Sequence, residues 1–107
     1  FGAEAKVFID HGYPYVYNDP SLTQKAVELS KDYFGEDKVL SLDARMTAED
    51  FSYFSQKAPS CYYRVGTRKK GEPITNLHTS NFDVDEKCLE NAMGITAYLA
   101  IYSLMTE

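Results

Sequence analysis

Apolar and polar residues alternate from Ala3 to Asp10. Ala3, Ala5, Val7 and Ile9 fall on one face and Glu4, Lys6 and Asp10 on the other, with Phe8 the exception on the polar face. A period of two predicts a half-buried strand in a sheet with one solvated side. Gly12 and Pro14 break the pattern, and Tyr13, Tyr15 and Tyr17 alternate through an extended connector that ends at Asn18. At Asp19 the period changes. The Asp19 carboxylate can accept from an orphan backbone N–H, and Pro20 suits the first helical position. Leu22, Ala26, Leu29 and Tyr33 then form a helical stripe, which Gly35 is placed to terminate. Lys38 to Leu42 reads as a short strand. A second helix is expected from Thr47, with Asp50 as a capping-box partner and Phe51 and Phe54 on its buried side, closed by Pro59. Cys61 to Val65 reads as a further strand, and residues 67–82 as a long loop. The last helix is expected from Val84 to Met105, capped by Asp83 and Glu86. Leu89, Ala92, Met93, Thr96, Leu99 and Ala100 line one side, and almost nothing after Glu90 is charged, so most of its circumference should be buried.

This order of elements predicts an α/β chain. A solitary amphipathic strand has no neighbour to complete its hydrogen bonds, and a helix as apolar as the last one needs more cover than these residues supply. The expectation is therefore a piece of a larger protein, with most of the sheet to which residues 3–10 belong lying upstream of Phe1 and a boundary near Tyr13 to Asp19. The sequence opens without an initiator Met, and no signal-peptide pattern comes after Phe1. The longest uncharged run, Asn91 to Thr106, falls short of the roughly 20 apolar residues that a bilayer demands, so no membrane role is expected.

Composition narrows the function classes. A hydrophobic fraction of 44% and a charged fraction of 25% suit a folded soluble protein. Eleven basic against sixteen acidic residues leave a net charge of −5, which gives no electrostatic footprint for nucleic acid. The cluster Arg68, Lys69 and Lys70, followed by Gly71, reads as a solvated loop. Cys61 and Cys88 lack metal-ligand spacing and form no disulfide framework, so they read as free thiols in a reducing compartment, the cytoplasm.

Candidate chemistry is sparse. His11 comes just after the first strand and His78 lies late in the long loop, neither with a second His at i+4. A zinc site needs three or four protein ligands, so on residue chemistry alone His78 reads as an ordinary loop histidine. Glu49 and Asp50 are adjacent carboxylates at a helix start. They complement its dipole there, or orient a group in a nearby site; spacing does not decide between the two. Ser52, Ser60 and Thr79 have no base at a nucleophile-like spacing, and there is no glycine-rich phosphate loop.

Three segments carry a resemblance: Met46-Thr47-Ala48-Glu49-Asp50-Phe51-Ser52-Tyr53-Phe54, then Ala58-Pro59-Ser60-Cys61-Tyr62-Tyr63-Arg64-Val65-Gly66-Thr67, then Leu77-His78-Thr79-Ser80-Asn81-Phe82-Asp83-Val84-Asp85-Glu86. In this order and spacing they resemble the C-terminal end of the zinc amidohydrolases that include hippurate, N-acyl-amino-acid and indoleacetyl-amino-acid hydrolases, relatives of aminoacylase and glutamate carboxypeptidase. Tyr13-Pro14 through Asn18-Asp19-Pro20 is similar to that family's return from an inserted lid domain. The resemblance implies that residues 1–12 are the final strand of the lid, a domain that commonly mediates homodimerisation. Residues 13–107 would then be the C-terminal part of a zinc-peptidase-like catalytic domain, a mixed sheet flanked by helices. His78 matches the family's last metal ligand, for one or two divalent ions, zinc above all. Glu49 and Asp50 match an acidic pair supporting the active site, with Asp50 a candidate partner for the second nitrogen of His78. The general base, a glutamate, and the other ligands would lie upstream, leaving this piece inactive alone. The implied substrates are N-acyl amino acids or small peptides. Two positions depart from the family pattern: Ser60 stands where Gly is usual, and Ser80 where Pro is usual. The competing expectation is a non-catalytic binding or scaffold domain that keeps the fold's tail.

Overall fold

The computed structural model describes residues 2–105. Three α-helices order the chain: α1 (Pro20–Phe34), α2 (Ser52–Ser55) and α3 (Cys88–Met105), with a 3-10 turn at Glu36–Lys38 between the first two.

Helix α1 forms as its sequence dictates. The Asp19 carboxylate accepts from the Leu22 N–H at 2.9 Å and from the Ser21 hydroxyl at 2.7 Å. These two donors favour the charged carboxylate and hold its pKa below the ordinary value, with the Leu22 bond the larger cause. Pro20 occupies the first turn. Gly35 stops the helix at φ 97°, and its N–H closes on the Lys31 carbonyl at 2.8 Å. Lys31 favours the negative end of the helix and also reaches Glu36 at 2.7 Å.

Helix α3 packs on α1. The Tyr33 and Tyr98 rings lie 5.1 Å apart, the Tyr98 hydroxyl donates to the Asp32 carboxylate, and Lys25 Nζ donates to the Ser103 carbonyl at 3.1 Å. Gly94 lets the helices approach, because a Cβ there would collide with the Tyr33 phenol. Burial is confined to one side of α3: Ile95 is 2% exposed, whereas Leu89, Met93, Ile101, Leu104 and Met105 are exposed. The expectation that most of the helix is covered is not met, since α1 covers a single stripe.

None of the three expected strands forms among the described residues. A strand is completed by backbone partners on a neighbouring strand, and the chain supplies none. Residues 3–10 are exposed throughout, with Val7 at 80%, Phe8 at 89% and Ile9 at 73%. Lys38 belongs to the 3-10 turn, and Leu40 and Leu42 beyond it are exposed. The segment Cys61–Val65 is held by a side chain instead of a strand. Asn18 Nδ2 donates to the Tyr62 carbonyl at 3.1 Å, and Asn18 Oδ1 accepts from the Tyr62 N–H at 2.8 Å. Around this pair the connector fastens to α2 and to the residues between α2 and Cys61. Tyr17 N donates to Ser55 Oγ, Gln56 Nε2 donates to the Tyr15 carbonyl, Asp19 N donates to the Ser60 carbonyl, and the Tyr13 and Tyr53 rings meet edge to face at 5.6 Å.

Two helix starts also differ from expectation. Helix α2 begins at Ser52, not Thr47: a turn precedes it, in which Glu49 Oε1 accepts from the Phe51 N–H and the Glu49 carbonyl from the Ser52 N–H, and Phe51 occupies the N-cap position without a side-chain cap. Helix α3 begins at Cys88, not Val84. The Asp85 carboxylate accepts from the Lys87 N–H, and the Asp85 carbonyl from the Cys88 N–H, so a turn precedes the helix.

The described chain spreads over 65 × 41 × 19 Å, with a radius of gyration of 18.6 Å. A compact chain of this length has a radius of about 13 Å. Its surface of 9673 Å² compares with about 6,000 Å² for a compact monomer of this mass. The fold is thus a thin layer that leaves many of its large apolar side chains exposed.

Candidate metal-ligand loop and its acidic neighbours

Loop 67–85 carries His78. Its stem is closed by the Asp85 N–H donating to the Thr67 carbonyl at 2.8 Å. Above that, the Thr75 hydroxyl donates to the Asp83 carbonyl at 3.2 Å and accepts from the Asp83 N–H at 3.4 Å. The tip is a turn in which Thr79 Oγ1 donates to the Asn76 carbonyl at 2.6 Å and the Phe82 N–H to the Thr79 carbonyl at 3.1 Å. His78 sits exposed in that turn at φ 63°, the left-handed region. Histidine enters this region more readily than most residues that carry a Cβ. An open pocket of about 290 Å³ lies at the stem, among Arg68, Lys69, Glu72, Pro73, Asp83 and Asp85. Cations and carboxylates are mixed there, so it favours neither sign of ligand.

Glu49 has a defined structural task. Besides holding the turn before α2, it accepts at Oε2 from the Tyr62 hydroxyl at 2.9 Å. The Phe51 N–H first, and then the Tyr62 hydroxyl, hold the Glu49 carboxyl below its ordinary pKa. The same bond to Glu49 raises the Tyr62 hydroxyl. The Tyr62 ring packs against Phe51 at 5.3 Å between centroids. Glu49 therefore ties α2 to the Cys61–Val65 segment. Asp50 is exposed, and its carbonyl accepts from the Tyr53 N–H. Among the described residues no hydrogen bond joins Asp50 to His78, so the expected pairing of the two is not formed.

Among the described residues no three His, Cys, Asp or Glu side chains come together as a metal site. His78 fits the demands on one ligand, an exposed imidazole on a braced loop, and the described residues hold no complete site. The braces themselves, Thr75 on Asp83 and Asn18 on Tyr62, escape a reading of the sequence. Both are polar residues whose partners lie eight and forty-four residues away.

The sequence profile of the peptidase family M20/M25/M40 matches residues 3–102. The chain is 38% identical over 104 residues to thermostable carboxypeptidase 2 of Saccharolobus solfataricus, covering 94% of this chain and 25% of that protein. It is 36% identical to thermostable carboxypeptidase 1 of the same organism, with the same coverage. It is 29% identical to the IAA-amino acid hydrolase ILR1-like 4 of Arabidopsis thaliana, covering 87% of this chain and 21% of that protein. No solved structure matches significantly. The chain belongs to the peptidase family M20/M25/M40, a family whose matched relatives are named as hydrolases and carboxypeptidases, and the resemblance read from its three motifs is borne out. It spans about a quarter of the length of the curated relatives it matches.

Proposed function

We propose that this chain is the C-terminal part of a metal-dependent amidohydrolase that cleaves the amide bond of N-acyl amino acids or small peptides. In this reading it contributes one metal ligand, His78. The observation that carries the reading is the presentation of His78: an exposed imidazole at the tip of a loop closed at its stem and again at Asp83. The imidazole would bind through a neutral ring nitrogen, which suits zinc. When bound, the metal lowers the pKa of a water and polarises the scissile carbonyl. The remaining ligands and the general base belong to the part of the relatives that this chain does not span, so the chain alone is inactive and binds zinc weakly. Glu49 acts at a distance, by fixing α2 and the segment that leads into the His78 loop.

Residues 1–12 complete a lid domain and contribute to a homodimer; the exposed alternation of residues 3–10 supports that assignment. The two free thiols support a reducing compartment, the cytoplasm. No helix among the described residues is long and apolar enough to cross a membrane. The test is hydrolysis of a panel of N-acyl amino acids and dipeptides by the full-length protein, with and without a chelator. Turnover that a chelator abolishes and zinc restores is expected. Turnover indifferent to chelation overturns the metal mechanism, and no turnover of any member of the panel overturns the substrate class.

A further inference from the structure

We propose that Thr75 is a positioning residue for His78; this rests on the assignment of His78 as a metal ligand. A ligand must be held to within about 0.5 Å by the shell around it. Within this chain little packing holds the His78 turn, because residues 76–83 are all exposed. Its hydrogen bonds must define it. The stem bond from Asp85 to Thr67 uses backbone atoms only, at 2.8 Å. The bond of Thr79 to the Asn76 carbonyl lies inside the turn and leaves the turn free to swing as a unit.

Thr75 is the half-buried residue that ties the turn to the arm on its far side. Its single hydroxyl takes both the N–H and the carbonyl of Asp83, at 3.4 and 3.2 Å. It thereby does what a neighbouring strand would do for one residue. This closes the loop immediately beneath the tip, three residues before His78. With the hydroxyl gone, the turn would hang from the Thr67–Asp85 bond alone, at the far end of the stem.

The experiment uses the full-length protein stripped of metal, with zinc affinity measured by competition against a chromophoric chelator and the melting temperature of the metal-free form measured alongside. Thr75→Val keeps the shape and removes the hydroxyl; Thr75→Ser keeps the hydroxyl. Thr75→Val is expected to weaken zinc binding about tenfold with an unchanged metal-free melting temperature, and Thr75→Ser is expected to retain wild-type affinity. His78→Asn, whose side chain tolerates the left-handed backbone, separates the two assignments. If His78→Asn loses zinc and Thr75→Val binds as wild type does, Thr75 is not a positioning residue. If Thr75→Val and Thr75→Ser weaken binding equally and both melt early, the role of Thr75 is structural and the proposal is overturned. If His78→Asn binds zinc as tightly as wild type, the ligand assignment fails and the role of Thr75 falls with it.

Discussion

Replacing Asn18 with alanine removes the acceptor and donor that hold both backbone groups of Tyr62, at 2.8 and 3.1 Å. A net hydrogen bond contributes about 0.5–1.5 kcal/mol, so the pair is worth about 1–3 kcal/mol. Asn18 is exposed and water can replace both bonds, which puts the effect near 1 kcal/mol. In a local opening equilibrium that is about fivefold. The assay is amide hydrogen exchange of the full-length protein, monitored at Tyr62. Asn18→Ala should speed exchange at Tyr62 about fivefold and leave the interior of α1 unchanged. Asn18→Asp keeps the acceptor for the Tyr62 N–H but sets a lone pair against the Tyr62 carbonyl, so it should also weaken protection. Wild-type protection at Tyr62 in Asn18→Ala would refute the reasoning, because the amide would then have a partner other than Asn18.

Three further outcomes are expected. The folded-state pKa of Glu49 lies below its ordinary value of 4.5, so the stability it contributes is present above that value and lost as pH falls through the lower folded-state pKa. The melting temperature should therefore drop less on acidification in Glu49→Gln than in wild type, with Tyr62→Phe in between; equal slopes would remove Glu49 from the fold's support. The Tyr98 hydroxyl is pushed up to about 12 by its bond to Asp32, so it stabilises below its ordinary value of 10.0 and that contribution is lost as pH rises towards 12. Alkaline ultraviolet titration of Asp32→Asn should find it ionising nearer 10.0, and an unmoved titration would contradict the bond. Gly94→Ala gains about 1 kcal/mol of helix propensity but drives a methyl into the Tyr33 phenol, so the melting temperature should fall, and adding Tyr33→Leu should restore it. A rise with Gly94→Ala alone would mean that the exposed Tyr33 side chain swings clear of the methyl and does not limit the approach of α1 and α3.

Legibility in the sequence tracked the range of the interactions. Helix α1 could be read in full because its signals are local: Asp19 and Pro20 start it, the Leu22 stripe faces α3, and Gly35 ends it. The starts of α2 and α3 slipped by several residues. Each segment offers several acidic or hydroxyl residues, and longer-range bonds hold those in the turn before each helix: Tyr62 holds Glu49, and Thr67 holds Asp85. The three strands fail for a different reason. Alternation at Ala3 to Asp10 specifies a face but supplies no partner strand. At Cys61–Val65 an asparagine side chain takes the partner's place. His78 stood out by resemblance alone, since one histidine in an unpatterned loop carries no spacing signal. Its left-handed backbone, which glycine would have announced, is hidden in a residue with a Cβ.

The most direct measurement is an anomalous diffraction map at the zinc edge from crystals of the full-length protein. A peak about 2.0–2.1 Å from a ring nitrogen of His78, with the other ligands drawn from outside this chain, is the expected result. A metal peak with His78 out of bonding reach would contradict the role assigned to this chain.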